Sequence, residues 1–370
     1  MHATGASNDT GGDSFPADIK AAALERGLYF VVLTDHSNST GSDTTTTEEN
    51  PDLFNMGPEF PLAMEAAMLS EPGTFLMIDG NEISPVLDGE MPTQPTGHVG
   101  CAPMDLETFD YESDAPFIDR PRGTIPGGNG LAQALDRGCF AVLNHPYANA
   151  PWTAFDWTPS GRGDEANPWG YHAMEVWNGT LGFGGDDLQA WDAWRCDLVK
   201  GRSVTPIGAS DNHRVHQSPP GRLFDPALGY PNTMVFAEDG TWDGIVAGLL
   251  AGQVAIGEGE SRLFLDMYGE DGRRAEDSSA RWLRIRMRLD PFFDRAANVR
   301  VTRAFGCDDP RPTPLVPVTV QDEVLVDQPI PPGVDFDVAI PITGEPGVYT
   351  AFLEMRAQHY GAMSRALVIA

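Results

Sequence analysis

The sequence predicts an α/β fold, with a closed barrel over about the first 260 residues and a small antiparallel β-sandwich after it. Three observations predict this class. Helical segments that end in glycine alternate with short apolar strands, these strands close with polar residues, and the pattern changes after about residue 262. Continuously apolar strands separated by helices indicate a parallel sheet that is buried on both faces.

The repeating helix–glycine–strand unit is clearest near the start of the chain. A helix over 16–26 is followed by Gly27, and the apolar strand 29–33 comes directly after it. Proline fits the first turn of such a helix, and glycine fits the position just past its end. The unit recurs at 131–143, 187–209 and 241–252, and two more apolar strands, 75–78 and 174–177, also end in polar residues. Six or seven units favour a closed barrel, in which chemistry collects at the carboxyl ends of the strands.

The last hundred residues show no helical period. Their apolar residues fall in short strand-like runs, separated by turns rich in Gly, Pro and Asp, at 283–289, 299–303, 324–326, 336–340, 348–355 and 365–369. Several short strands at this spacing are typical of an antiparallel sandwich. We therefore predict two domains, a barrel over 1–262 and a β-sandwich over 263–370.

The composition excludes several classes of protein. A net charge of −30 repels phosphate backbones, so nucleic acid is not an expected partner. The same charge fits solubility in a salty medium or attraction of a cationic substrate. No run of about 18 apolar residues occurs, so no transmembrane helix is predicted. None of the four cysteines forms a Cys-x-x-Cys pair, which excludes a zinc ribbon or a thioredoxin-like site, and disulfides are possible but not indicated.

Histidines and acidic residues cluster at the chain start and at the predicted strand ends. The histidines are His2, His36, His98, His145 and His213, and the acidic residues are Asp35, Glu82 and Asp211. Imidazole nitrogen and carboxylate oxygen together suit zinc, manganese or iron. A cluster of this size can hold two or three ions, and a bridging carboxylate would bring a pair close enough to activate one hydroxide.

Each of these motifs is weak when taken alone. An Asp-His pair after a strand is structural more often than functional, and Asn-His-Pro in a loop is no more specific. The ordered set is much more specific, because it places ligand-type residues after successive predicted strands. Arg214 and His216 follow the last motif in a Gly- and Pro-rich segment, where a substrate-contacting loop is plausible.

Residues 2–260 resemble the PHP superfamily, named for polymerase and histidinol phosphatase domains, and within it the carbaryl-hydrolase-like branch. The likeness rests on Gly-Leu-Tyr-Phe-Val-Val-Leu-Thr-Asp-His at 27–36, on Glu-Val-Trp-Asn-Gly at 175–179, and on the strand at Thr233 with its following helix and Gly252. The resemblance implies a distorted barrel of seven strands, a (β/α)7 variant of the TIM-like barrel. It also implies two or three divalent metal ions, expected to be Zn, Mn or Fe.

The resemblance also implies a role for each candidate residue. His2 and Asp211 would bind the first metal, Glu82 would bridge the first two, His98 and His145 would complete the second site, and His36 and His213 would bind a third metal or hold substrate. Asp35 would orient a ligand rather than bind metal itself. Asn8 or Asp9 stands where a histidine for the third metal often occurs, which puts full three-metal occupancy in doubt.

The opening of the chain departs from the family pattern. The first histidine of the His-x-His motif would lie before Met1, so the first barrel strand is expected to be missing. We expect the natural protein to carry that strand before Met1. Its absence from this sequence would leave a gap in the barrel wall beside the strand 29–34, with His2 at the rim of the pocket. A strand omitted from a barrel would expose an unpaired, apolar edge.

These observations predict a metal-dependent hydrolase that cleaves a phosphoester or a related carboxylic or carbamate ester with a metal-activated hydroxide. Its catalytic residues would be Glu82, Asp211 and Asp35. Its substrate would be a small molecule, which Arg214 and His216 would contact. The alternative is a catalytically impaired PHP-fold protein that binds metal or acts as a scaffold. The sandwich suggests, by analogy, a periplasmic or extracellular location, with the cytoplasm as the other possibility. Substrate, metal and oligomeric state stay open.

Overall fold

The structure is a computed structural model in which residues 1, 14–36, 60–83, 97–109, 127–147, 167–179, 185–216, 226–289, 297–311, 317–331, 336–355 and 359–370 are described. Those ranges contain five helices: α1 (Pro16–Glu25), α2 (Phe60–Leu69), α3 (Gly127–Asp136), α4 (Gly185–Val199) and α5 (Trp242–Leu250). Most of the predicted helices and strands are therefore present close to their predicted bounds. None of the described helices is long and apolar enough to cross a membrane.

Within the described ranges, nine strands lie before residue 262. They are β1 (Phe30–Leu33), β2 (Leu76–Asp79), β3 (Asn81–Ile83), β4 (His98–Pro103), β5 (Cys139–Asn144), β6 (Ala173–Asn178), β7 (Thr205–Ala209), β8 (Asn232–Val235) and β9 (Val254–Gly257). β1 and β2 form a parallel pair. β3 to β7 form a five-stranded sheet in chain order, in which β4 runs antiparallel to both neighbours and β5, β6 and β7 run parallel.

The later strands are antiparallel. They are β10 (Arg262–Tyr268), β11 (Trp282–Arg288), β12 (Ala297–Asp308), β13 (Thr319–Ile330), β14 (Phe336–Pro341), β15 (Gly347–Met355), β16 (His359–Met363) and β17 (Leu367–Ile369). β10, β11 and β14 make a three-stranded sheet, and β13, β12, β15, β16, β9 and β8 follow one another in a seven-stranded sheet to which β17 adds beside β15. A shared apolar core fills the space between the two sheets.

The predicted (β/α)7 TIM-like barrel is wrong. Within the described ranges the first 262 residues divide among three separate sheets, and strands outweigh the five short helices. The error has a physical cause. A continuously apolar strand indicates burial on both faces but not strand direction, and β4, β8 and β9 pair antiparallel where a barrel of β/α units requires parallel neighbours.

The division at 262/263 stays a prediction, but several contacts cross it. β8 and β9 belong to the same sheet as β12, β15 and β16. The disulfide Cys196–Cys307 joins α4 to β12, and helix α4 packs on that sheet. The second disulfide, Cys101–Cys139, links the neighbouring strands β4 and β5. All four cysteines are thus paired.

Candidate metal centre

Three chain segments meet where β1, β3 and β4 come together. His36 lies beyond the end of β1 and forms an isolated parallel bridge with Glu82 of β3. The Glu82 backbone nitrogen donates to the Asp35 carbonyl oxygen over 2.9 Å, which fixes that register. His98 opens β4, whose antiparallel pairing with β3 places Gly100 opposite Glu82. The pairing of the strands therefore brings two histidines to one glutamate.

The Glu82 carboxylate is the centre of the cluster. Its Oε2 lies 3.1 Å from His36 Nδ1, and its Oε1 lies 3.1 Å from His98 Nδ1 and 3.4 Å from His145 Nε2. His98 Nδ1 and His145 Nε2 are themselves 3.2 Å apart. His36, Glu82 and His98 are all buried, with exposed fractions of 6%, 2% and 4%.

A glycine makes room for the side chain that orients this carboxylate. The Asn144 amide nitrogen donates to Glu82 Oε1 over 2.8 Å. A Cβ atom on Gly100 would lie 2.8 Å from the Asn144 side-chain oxygen and 3.2 Å from its nitrogen. Since Cβ atoms do not approach a polar atom that closely, Gly100 permits the Asn144 side chain to reach Glu82.

A second carboxylate holds the loop that carries His145. The His145 backbone has a φ of 29°, an uncommon conformation for a residue with a side chain. Its backbone nitrogen donates to Glu175 Oε2 over 2.7 Å. The Asn178 amide nitrogen lies 3.4 Å from the same oxygen and 3.2 Å from Asp211 Oδ2. Hydrogen bonds therefore connect the His145 loop to Asp211.

Opposing effects set the charge of the central carboxylate. Burial raises the pKa of Glu82, but the adjacent His98 and His36 imidazoles outweigh burial and hold that pKa well below its usual range. Burial is also the main influence on His98, and it lowers the pKa of that imidazole. The arrangement favours an ionised Glu82 beside an imidazole that stays neutral at pH 7.

The pKa values of the neighbouring His145 and Glu175 are both raised. Burial lowers the pKa of His145, yet its hydrogen bond to Glu82 and the charges of Glu82, Glu175 and Asp211 outweigh burial and raise it to about 10. Burial raises the pKa of Glu175 to about 8, and the nearby carboxylates of Asp211 and Glu82 contribute to the increase. In the metal-free protein the cluster therefore carries protons that a bound cation would displace.

The donor set fits a divalent transition metal. One ligand atom each from His36, Glu82 and His98 lies within 4.8 Å of the others. Two neutral imidazoles and a carboxylate are a common protein ligand set for zinc, and similar sets bind manganese or iron. His145 supplies a third nitrogen, and thus a fourth donor, next to the same Glu82 carboxylate oxygen as His98.

A cavity of about 580 Å³ opens beside this cluster. Glu82, His145, Glu175 and Asp211 line its polar end. The rest of its wall is mainly apolar and comes from β1, β5, β7, β8 and α5. A small molecule can therefore lie against the Glu82 carboxylate and Asp211 at once.

The structure brings some of the predicted site residues together and separates others. His36, Glu82, His98 and His145 converge, and Asp211 joins them through Asn178 and the cavity wall. Asp211 is outside the group whose ligand atoms lie within 4.8 Å. The roles predicted for all of these residues stay predictions.

The remaining predicted residues are outside the group of ligand atoms formed by His36, Glu82 and His98, or outside the described residues. Asp35 is fully buried next to His36, and its backbone oxygen accepts hydrogen bonds from Asn81 and Glu82. The His213 carbonyl oxygen accepts from the Ser14 hydroxyl over 2.9 Å. Arg214 and His216 are exposed, and His2 lies outside the described residues.

Sequence reasoning assigned no role to Asn144, Glu175 or Asn178. Glu175 interrupts the apolar strand β6 and is only 4% exposed, so a carboxylate in an otherwise apolar strand was the available signal. Asn144 precedes His145 at the end of β5, where polar residues were already expected.

Comparison with protein-family models, with curated protein sequences and with solved structures found no match. The PHP resemblance therefore rests on the residues quoted above, and the function proposed below rests on the geometry of the cluster.

Proposed function

We propose that this protein is a divalent-metal-dependent hydrolase of the PHP type that cleaves a small phosphoester or a related carboxylic or carbamate ester. One observation carries the proposal, namely the convergence of His36, His98 and His145 on the buried Glu82 carboxylate. Ion-pair networks that only stabilise a fold usually pair carboxylates with Arg or Lys. Here the partners are imidazoles, which offer lone pairs to a metal once they are neutral.

His36, Glu82 and His98 would hold the first ion, and His145 is the next donor for it or for a second ion. When bound, such an ion supplies Lewis acidity and lowers the pKa of a nearby water molecule. The Glu82 carboxylate, which the three imidazoles approach, would offset part of the charge of such an ion. Asn144 keeps the Glu82 carboxylate oriented through its hydrogen bond to Oε1.

Asp211 is placed to act on the substrate side of the cluster. It lines the same cavity as Glu82, and its carboxylate is fixed by the Asn178 amide. We assign it the acceptance of a proton from the attacking water. Asp35, buried beside His36, would orient that imidazole, and His213, Arg214 and His216 stay candidates for contacts to substrate. His2 stays a candidate metal ligand because of its resemblance to the second histidine of the His-x-His motif.

The two disulfides support a periplasmic or extracellular location. Disulfides form and persist in oxidising compartments and are rare in cytosolic proteins of mesophiles. Both pairs bury their sulfur atoms in the core or at its edge.

The test combines metal analysis with a substrate panel. Purified protein is assayed by mass spectrometry for bound metal and then on p-nitrophenyl phosphate, bis-p-nitrophenyl phosphate, p-nitrophenyl acetate and an aryl N-methylcarbamate. We expect at least one bound ion, loss of hydrolysis with a chelator, and recovery with Mn²⁺ or Zn²⁺. Hydrolysis that a chelator does not affect would exclude the proposal. Bound metal without turnover on any ester would favour the scaffold alternative.

A further inference from the structure

Strand β6 carries two buried polar side chains, Glu175 and Asn178, that reach the same face of its sheet. Side chains three positions apart in a regular strand point to opposite faces. Here the register with β7 shifts between Glu175 and Trp177, because Val176 is an extra residue on the β6 side. This bulge restores a common face, where the Asn178 amide nitrogen lies 3.4 Å from Glu175 Oε2.

The strands on either side of β6 each lead into a backbone conformation that residues with a side chain rarely adopt. β6 runs parallel to β5 on one side and to β7 on the other. His145 directly follows β5 with a φ of 29°, and Asp211 follows β7 by two residues with a φ of 48°. Within the described ranges these are the only residues other than glycine with a positive φ. Such a conformation persists only where neighbouring groups hold it.

Strand β6 supplies a hydrogen-bonding partner to each of these two residues. Glu175 Oε2 accepts from the His145 backbone nitrogen over 2.7 Å. The Asn178 amide nitrogen carries two N–H groups, and it also lies 3.2 Å from Asp211 Oδ2. Asn178 is itself fixed by its backbone nitrogen, which donates over 3.0 Å to Asp187 in the first turn of α4. We call Glu175 and Asn178 the β6 polar pair.

We propose that the β6 polar pair positions two groups of the candidate metal centre, with Glu175 acting on His145 and Asn178 acting on Asp211. The inference rests on the proposed hydrolase function. By fixing the His145 backbone, Glu175 sets the direction of the imidazole, whose Nε2 lies 3.4 Å from Glu82 Oε1. By donating to Asp211, Asn178 keeps that carboxylate at the polar end of the cavity. Both act through another residue and are therefore positioning residues.

Nuclear magnetic resonance on metal-free protein with labelled histidine tests the action of Glu175. A residue with positive φ holds its amide and Hα protons close together, so wild-type His145 should show a strong Overhauser effect between them. Glu175→Met removes the acceptor, and should weaken this signal and lower Zn²⁺ affinity by about tenfold or more. Glu175→Gln keeps an oxygen acceptor and should retain both. Glu260→Met, the same change at an exposed pair with Arg288, should retain both as well.

Three results would overturn the role of Glu175. They are a Glu175→Met protein that keeps the His145 signal, one that keeps wild-type Zn²⁺ affinity, and a Glu175→Gln protein that loses as much as Glu175→Met. The last result would show that the charge of the carboxylate matters and not its hydrogen bond to the His145 backbone.

The Asn178→Leu variant tests the other half of the pair, and it stays decisive if Glu175→Met does not fold. It removes the donor to Asp211 and leaves the bond between Glu175 and the His145 backbone in place. We expect kcat to fall by about tenfold or more, with KM, Zn²⁺ affinity and the His145 signal near wild-type values, because Asp211 acts on the attacking water. Wild-type kcat, or an equal loss of Zn²⁺ affinity, would contradict this role. If the wild type hydrolyses none of the esters, the proposed function fails, while the Overhauser and Zn²⁺ measurements still decide the role of Glu175.

Discussion

Two clusters of buried charge in this protein are built from different side chains. In the candidate metal centre, one glutamate meets three imidazoles. In the network between α4 and β12, the carboxylates of Asp197 and Asp309 meet Lys and Arg side chains. We call this second cluster the α4–β12 ion network, and its members are Asp197, Lys200, Arg202, Asp309 and Arg311.

Each carboxylate of the α4–β12 ion network meets at least two cationic side chains, and the Tyr171 hydroxyl also donates to Asp197. Arg311 lies 2.6 Å from both Asp197 and Asp309, and Arg202 lies 2.7 Å from Asp197. Both guanidinium groups also lie over the Trp169 ring, with Arg202 4.5 Å and Arg311 5.2 Å from its centroid. A guanidinium has no lone pair for a cation and does not lose its proton, so this cluster can stabilise the fold but cannot bind metal.

The imidazole cluster has the opposite properties. Each histidine can give up its proton and present a lone pair, and the pKa values of His98 and His145 are shifted in opposite directions. Burial and charge alone therefore do not identify a functional site. The chemical type of the partner does, because it determines whether a cluster is complete or can accept a ligand.

The largest expected effect is on stability, from Arg311→Met in the α4–β12 ion network. The substitution leaves the fully buried Asp197 with one fewer cationic partner. Breaking a buried pair by removing one member costs about 3–5 kcal/mol. Urea unfolding measures this loss, and metal content per folded molecule should not change.

The control for that variant is Arg300→Met, which removes a partly exposed pair with Asp327. Exposed pairs contribute at most about 1 kcal/mol, so this variant should unfold close to the wild type. A wild-type unfolding midpoint for Arg311→Met would show that the network does not stabilise the fold.

Removal of a disulfide should have the next largest effect, and it should affect only the stability of the fold. Removing Cys196–Cys307 by double alanine substitution should cost about 2–4 kcal/mol. Its partners are separated by 111 residues, against 38 for Cys101–Cys139. Because closing a longer loop removes more entropy from the unfolded chain, Cys196–Cys307 should contribute about 1 kcal/mol more to the free energy of unfolding. Thermal unfolding of the two double variants checks the order, and a larger loss for the Cys101–Cys139 pair would contradict it.

Glu82→Gln should act on metal binding rather than on folding. It removes the one charge on which the three imidazoles converge, while keeping the shape of the side chain. Loss of a hydrogen-bonding partner of a ligand already costs 10–100-fold in affinity, so loss of this carboxylate should cost more than about 100-fold and most of the hydrolytic activity. Glu345→Gln, which alters an exposed pair with Arg303, is the matched control and should bind metal normally. Wild-type turnover in Glu82→Gln would exclude a bridging role.

The smallest expected effect is the release of a proton when the metal ion binds. Because the pKa of His145 is about 10 without metal, this imidazole is protonated at pH 7. If His145 binds the ion it must lose that proton, so affinity should rise with pH below 10 and about one proton should be released. Calorimetric titration of Zn²⁺ in two buffers with different ionisation enthalpies measures the release. Binding with no proton release would remove His145 from the ligand set.

Local patterns predicted the elements better than their arrangement. Gly27 after α1 and the apolar run 30–33 are local signals, and the helix and strand formed where they indicated. Whether β4 lies parallel or antiparallel to β5 depends on pairing across the chain, which the apolar pattern of either strand does not encode. The barrel prediction failed for that reason.

The candidate site shows the same limit. His36, Glu82, His98 and His145 were predicted to converge because polar residues at strand ends meet when the strands are neighbours, and the structure brings these four together. The hydrogen bonds from Asn144 to Glu82 and from the His145 backbone to Glu175 depend on side-chain packing between strands. The position of Glu175 in an apolar strand marks its carboxylate as unusual, but it does not indicate that the carboxylate faces the site.

The proposed function depends on a divalent metal ion bound by His36, Glu82 and His98 together. Anomalous diffraction at the zinc edge, on crystals grown with Zn²⁺, tests it most directly. We predict a peak bounded by these three side chains, absent in His98→Ala and present in His172→Ala. His172 is a matched control because its Nδ1 accepts a hydrogen bond from the Ala141 backbone, its ring stacks on Phe140, and it is outside the group of ligand atoms at Glu82. Wild-type crystals with no peak at the cluster, or with a peak that His98→Ala leaves unchanged, would contradict the account.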